Sequence, residues 1–472
     1  CDKSNKCCTT NGDSAEDSDS STESSESDGT ASADDIMSPY GKYPEQIELH
    51  TAKRASSAPN FAEGEDVENN AMNQYILDKL NVKVKIDWEV ESSEFANKLS
   101  LMIASNDLPD MFTLGAGDYL IYRQLVDNGL LADLSEAYEE CAGDYMIECF
   151  ESFDYKNLDP FKEGDALYAI AGGRYGYEHN QLWLRKDWLD KAGITEMPET
   201  IEDIENILTI WRDNPPVENY TGMILNATTI AGGYSSGYSA DPIFNAFGAA
   251  PCTWVRDPDG NIVYGSVMPE MKEGLAVLAD WYAKGLIDKQ FATRTASGAT
   301  DTLFTGSQSG AAFVPWWYCY TIADLPRNDS EAEVIMVNAP LDSEGNFNIE
   351  WPGPSGDYVM VRKDYEYPEA VVKVLNCEYD MWRGFDEEAA EKIQPDREAN
   401  VDWLYMFATS GVNLEFADVI PQVGILAKNY VEEGKMESDS VVGDIPSNQL
   451  MASEAKEYAE TKSLDGTLWL NY

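Results

Sequence analysis

Apolar positions in this chain recur at two spacings, and the spacing switches repeatedly. Gln46–His50 alternates as a short strand. From Asn70 to Leu80 the residues Met72, Ile76 and Leu80 share one helical face, and Val82–Val90 returns to alternation. Phe95–Ala104 predicts a helix closed by Asn106 and Pro109, ahead of a short buried strand over Asp110–Thr113. Further helices are predicted over Trp183–Ala192, Ile201–Trp211 and Met271–Lys284. Gly193 ends the first and Thr200 caps the second. Alternating helix and strand predicts an α/β fold of sheets flanked by helices, and no repeat of about 20–50 residues interrupts it.

Length adds a division to that picture. A chain of 472 residues exceeds what one compact core usually holds, so two lobes are expected. With 43% apolar and 11% aromatic residues, the core is ample. The charge is −52, from 85 acids against 33 bases, a field that repels nucleic acid and anionic lipid headgroups. Two histidines, His50 and His179, leave little room for histidine-based triads or metal sites. No run of about 18 apolar residues is present to span a bilayer. Cys141, Cys149, Cys252, Cys319 and Cys377 are scattered without a CxxC pair; a Cys141–Cys149 bridge and buried free thiols both stay open.

The first residues read differently. Residues 11–35 hold nine acids, no Lys or Arg, and otherwise mainly small polar residues, so they cannot bury enough apolar area to fold. Residues 1–43 are therefore read as a tether, whose first 38 residues would span roughly 35 Å as a coil. Those 38 residues carry ten acids and two lysines, a net −8, which leaves −44 on the rest. The acidity belongs mostly to the folded part.

Several motifs in order carry a resemblance. Ser105-Asn-Asp-Leu-Pro-Asp110-Met-Phe is followed by Gly129-Leu-Leu-Ala-Asp-Leu134, Ala166-Leu-Tyr-Ala-Ile170 and Leu182-Trp-Leu-Arg-Lys-Asp-Trp-Leu-Asp-Lys-Ala-Gly-Ile194. Pro198-Glu-Thr-Ile-Glu-Asp203, Leu278-Ala-Asp-Trp-Tyr-Ala-Lys-Gly-Leu-Ile287, Gly306-Ser-Gln-Ser-Gly-Ala-Ala-Phe313, Gly356-Asp-Tyr-Val-Met-Val-Arg-Lys-Asp364 and Tyr367-Pro-Glu-Ala-Val-Val-Lys-Val-Leu-Asn376 complete the series. Over about residues 45–470 the chain resembles family 1 extracellular solute-binding proteins of ABC importers, most of all their oligosaccharide-associated lipoproteins. The family usually continues beyond a segment like Leu468-Trp-Leu-Asn-Tyr472, so the resemblance implies a further C-terminal portion.

That resemblance implies a two-lobed, periplasmic-binding-protein-like fold (type II) with a ligand cleft between the lobes. Residues 44–170 and 333–378 would form the N-terminal lobe, and 171–332 with 379–472 the C-terminal one. Crossings are expected near Ala169–Gly173, Glu331–Asn338 and Asn376–Asp380. It also implies that Cys1 is a lipid-modified anchor, although a chain boundary falling on Cys gives the same first residue. The implied partners are an oligosaccharide ligand, ABC permease subunits and, through the anchor, a membrane. The protein is expected as a monomer on the outer face of the cell membrane.

Sugars offer flat C–H faces and a rim of hydroxyls, which calls for aromatic platforms and directed polar groups. Trp316 and Trp317 in Phe313-Val-Pro-Trp-Trp-Tyr-Cys-Tyr320 are the leading candidates; Pro315 breaks any helix there, so the two rings diverge. The loop after the first crossing offers Arg174, Tyr175 and Tyr177, and the loop after the Asp110–Thr113 strand offers Asp118 and Tyr119. Tyr234, Tyr238 and Phe244 in a Gly/Tyr/Ser loop, Trp351 and Arg54 complete the set. No catalytic residue, cofactor or metal is assigned. Asp257-Pro-Asp-Gly-Asn261 imitates a calcium loop, but Ile262 occupies the obligatory glycine position and a hairpin turn fits better. Three other functions stay open: a surface sensor module without transport, a peptide-binding importer component, and a glycoside hydrolase built on two carboxylates.

Overall fold

The structure is a computed structural model that describes residues 36–461 apart from 56–60, 62, 177, 258, 295–296, 322–324, 352 and 394–409. In chain order the elements used below are β1 (Ile47–Ala55), α1 (Ala71–Leu80), β2 (Val82–Glu91), α2 (Ser92–Ser105), β3 (Met111–Leu114), β4 (Ile170–Gly173) and β5 (Gln181–Arg185). Then come α3 (Lys186–Lys191), α4 (Ile201–Asp213), α5 (Asp241–Asn245), β6 (Trp254–Arg256), β7 (Ile262–Tyr264), α6 (Met271–Lys284) and β8 (Ala311–Val314). The last are β9 (Val334–Val337), β10 (Ser355–Val361), α7 (Glu369–Arg383), α8 (Val419–Glu433) and α9 (Pro446–Thr461).

Two sheets carry the fold. The larger has the order β2-β1-β3-β10-β4, with β1 parallel to β2 and β3, and β10 antiparallel to β3 and β4. The smaller is β8-β5-β9, antiparallel throughout. Each sheet has its own core. Leu49, Phe112, Leu114, Ile170 and Val359 belong to the first; Leu182, Leu184, Trp188, Trp211 and Trp281 belong to the second. Trp183 faces the opposite side of β5, into a third cluster with Ile224, Tyr238 and Val314.

Local signals explain most elements. Asn70 caps α1 through its side chain, and Thr200 and Asp203 form a reciprocal capping box on α4. The helix predicted over Met271–Lys284 forms over those residues and ends on Gly285 in the left-handed region. The Asp257 segment is the hairpin turn between β6 and β7, its carboxylate accepting from the Asn261 amide at 2.8 Å. Cys141, Cys149, Cys252 and Cys377 are free thiols. That closes the Cys141–Cys149 bridge.

Four expectations are corrected. The tether expected over residues 1–43 does not extend through 36–43, because Ile36, Met37 and Tyr43 pack on the first core and Lys373 donates to the Gly41 carbonyl at 3.0 Å. Trp183–Ala192 is not one helix: residues 181–185 form β5 and the helix starts at Lys186, because a strand buried on both faces shows the continuous Leu182-Trp-Leu run of a buried helix. Residues 376–380 make no crossing; they lie inside the continuous helix α7, packed on the first core. The described part of 379–472 joins that same core and not the second, since Val412, Leu414, Phe416, Val423, Leu426 and Ala455 pack there.

Two segments therefore connect the sheets among the described residues: 174–180 between β4 and β5, and 338–354 between β9 and β10. Both lie just beyond the positions expected for them. The glycines at the end of β4 serve close packing: a Cβ at Gly172 would lie 2.4 Å from the Asn413 carbonyl oxygen, and one at Gly173 2.3 Å from the Phe153 ring.

Candidate ligand cleft

The parallel strands β1 and β3 end on one side of the large sheet, the side where open α/β sheets hold ligands. Arg54 closes β1 there, with its guanidinium 4.7 Å above the Phe95 ring centre. It lies 3.3 Å from Asp118 in the turn after β3 and 3.9 Å from Asp357 at the start of β10. Burial raises the Asp357 carboxyl above its usual range, and the nearby Arg54 cation opposes that shift. Arg174 follows β4 directly; its backbone N–H donates to the Pro354 carbonyl at 2.8 Å, joining the two crossings.

A second constellation gathers around Glu178, also coupled to Arg174. Glu178 is largely buried, which raises its carboxyl, while the facing donors Tyr175, Ser235 and Trp316 and the Arg174 charge favour its ionised form. Trp316 follows β8 of the small sheet, yet its half-buried ring packs against the first core. It therefore joins the two halves. Trp317 turns the other way, onto the third cluster, and its indole N–H donates to Ser235 Oγ at 3.1 Å. The divergence predicted from Pro315 is observed. Beside Trp317 a pocket of about 360 Å³ is lined by Asn226, Thr228, Ser235, Asp301 and Tyr318.

Other candidates stand as follows. Trp351 is 51% exposed, and a Cβ on Gly176 would lie 3.9 Å from its Nε1. Tyr234 is half-buried and donates to the Tyr175 carbonyl at 3.3 Å. Tyr119 sits at the rim, tied to the Pro160 carbonyl at 3.1 Å. Tyr175 belongs to the first core, with its phenol turned to Glu178. Phe244 is a correction: it is 1% exposed in the second core and meets no cleft. Tyr238 is likewise buried and donates to Asp301 at 2.7 Å. Tyr177 and Cys1 lie outside the described residues. Sequence reasoning missed Glu178, Asp357, Ser235 and Asp301.

The arrangement gathers aromatic faces, carboxylates, guanidinium groups and side-chain hydroxyls on two halves. Among the described residues no set of three His, Cys, Asp or Glu side chains is placed to hold a metal ion, and no helix is long and apolar enough to cross a membrane.

Two α/β halves joined by adjacent crossings, with polar and aromatic groups gathered beside them, define a periplasmic-binding-protein-like protein. The chain belongs to the bacterial extracellular solute-binding protein family, whose model matches residues 58–377. The fructooligosaccharide ABC transporter substrate-binding protein FusA of Streptococcus pneumoniae is 26% identical over 216 residues, which is 44% of this chain and 40% of that protein. The match thus spans less than half of that relative. Among solved structures, the alginate-binding protein AlgQ2 without calcium ion superposes with a TM-score of 0.58 at 18% identity over 80% of each chain. An HMO-binding, ABC-transporter-associated solute-binding protein of Bifidobacterium longum infantis gives 0.55 at 15% identity, covering 90% of this chain and 97% of its own. These likenesses support the fold.

Proposed function

We propose that the protein captures an oligosaccharide outside the cell and delivers it to an ABC permease, without acting as an enzyme on it. The observation that carries this reading is Trp316, an aromatic platform borne by the small sheet but seated against the first core beside Glu178 and Arg174. A sugar stacked on that ring touches both halves, and a ligand that touches both favours the closed state, which a permease can recognise. The sugar-binding relatives support the same reading. Lobe boundaries follow the two crossings, with the described part of 379–461 on the first lobe.

Isothermal titration with a panel of fructo-oligosaccharides, alginate oligomers, milk oligosaccharides and peptides tests the ligand class. Heat with at least one neutral oligosaccharide is expected. Binding of peptides alone overturns the carbohydrate assignment. Long-range repulsion from the −44 body slows the capture of acidic sugars unless Arg54 and Arg174 line the cleft, so the alginate oligomers in the panel test whether these two cations offset it.

Cys1, followed by the acidic Ser/Asp tether, is read as a lipid attachment site on the outer face of the membrane. Two or more acyl chains anchor stably where one does not. In cells, Cys1→Ser in the full precursor is expected to release the protein into the medium; retention on the membrane refutes the anchor.

A further inference from the structure

Where the two crossing segments run side by side they enclose a polar pocket of about 10 Å³, room for one water molecule. The first crossing contributes His179 and Asn180, the second Asn348 and Glu350, α5 contributes Asp241 and Asn245, and Tyr234 closes the wall. No Lys or Arg lines it. Both ring nitrogens of His179, Oδ1 of Asn180 and Oε1 of Glu350 are buried without a hydrogen-bond partner among the described residues. Asn180 is only 3% exposed, and its amide N–H is committed to the Gly233 carbonyl at 2.9 Å.

Several other groups around the pocket are otherwise engaged. Asp241 accepts from the Gly232 and Gly233 amides at 2.8 and 2.5 Å. Tyr234 points its hydroxyl at the Tyr175 carbonyl. His179 packs edge-on against Phe347 of the second crossing, centroids 5.0 Å apart. Asp342, also on that crossing, holds the Asn348 amide at 2.9 Å. Glu178 of the first crossing is engaged by Tyr175, Ser235 and Trp316 and by the Arg174 charge. Glu350 is thus an uncompensated carboxyl next to a well-held carboxylate, a placement that favours its neutral form.

We propose that Glu350 is a proton-operated latch between the crossings: neutral, it lets the two segments pack together beside Asp241; ionised, it parts them and loosens the hinge. Burial and the Asp241 charge push Glu350 up to about 8, burial raises Asp241 to about 6, and burial lowers His179 to about 4. The direction follows from linkage. A carboxyl raised in the packed state favours packing fully only below its solvated value of about 4.3, and loses that advantage as pH climbs to about 8. His179 acts in the opposite sense, but only between about 4 and its solvated value near 6.5. Asp241 acts in the same sense as Glu350 up to about 6, and above about 6.5 His179 no longer opposes Glu350.

Hydrogen exchange on the ligand-free full chain, corrected for the intrinsic pH dependence of exchange, reads this directly. Protection of residues 174–180 and 338–350 is expected to fall by up to about tenfold per pH unit between about 6.5 and 8, then level off. Glu350→Gln is expected to flatten that profile while both cores keep theirs. A flat wild-type profile, or an unchanged slope in the variant, overturns the latch. If the variant does not fold, carbon-detected titration of Glu350 in the wild type decides instead, and a midpoint in the ordinary carboxylate range is equally fatal. No sugar enters the experiment, so its failure is separate from that of the transport reading.

Discussion

Glu415→Ala is expected to destabilise the first half by about 3–5 kcal/mol, as removal of one member of a buried ion pair does elsewhere. Glu415 and its partner Arg383 are each 6% exposed, and their side chains are hydrogen-bonded. Arg383 ends α7 and lies 5.7 Å from the Tyr379 ring centre and 6.0 Å from that of Tyr145. Tyr145 donates to Glu415 at 3.3 Å and to the Leu414 carbonyl at 3.1 Å. Truncating Glu415 leaves a guanidinium among aromatic faces with no anion to balance it, and water cannot reach it without opening the contact between α7 and the 410–416 segment. Replacing both partners, Arg383→Met with Glu415→Leu, should recover most of the loss, because the desolvated charge disappears with its partner. Urea denaturation followed through exchange of the α7 amides measures both. A loss under about 1 kcal/mol in the single variant would mean the pair is solvated, contrary to the burial on which the estimate rests.

This pair also shows where the sequence stopped being readable. Helices with an apolar stripe and a cap, such as α4 with its Thr200–Asp203 box, announce themselves locally. Nothing local tells that Glu415 belongs beside Arg383, or that Val412 and Leu414 complete the first core and not the second. Such pairings are decided by long-range packing between segments that look alike in composition. The cleft divides the same way. The divergence of Trp316 and Trp317 was legible because Pro315 forces the chain to turn between a buried strand and two large rings. Glu178 and Asp357 were not, because among 85 acids no spacing marks those that burial and cations set apart. Phe244 was misplaced for a related reason. An aromatic in a Gly/Tyr/Ser loop resembles a binding residue, but its ring fills a slot on α6, where a Cβ at Gly274 would lie 2.4 Å from it.

Trp316→Ala is expected to weaken oligosaccharide binding by at least tenfold, about 1.4 kcal/mol. A ring face of about 100 Å² covered by sugar C–H groups is worth around 2.5 kcal/mol gross at about 25 cal/mol per Å², and part of that is offset by ordering the ligand. Trp317→Ala should cost less, because the Trp317 indole N–H is already tied to Ser235 and its ring packs on Tyr318 at 4.8 Å, inside the small half. Trp316 instead spans the halves, so its loss removes stacking area and also a contact that rewards closure. Trp316→Phe separates these contributions. It keeps a flat apolar face but not the N–H that faces Glu178, so a loss intermediate between wild type and Ala assigns part of the affinity to the Glu178 contact. Titration calorimetry with the best ligand of the panel supplies the numbers. If neither tryptophan variant reaches a tenfold loss, the ligand does not stack on this loop, and the platform must be sought at Trp351, the more exposed of two aromatics on the second crossing.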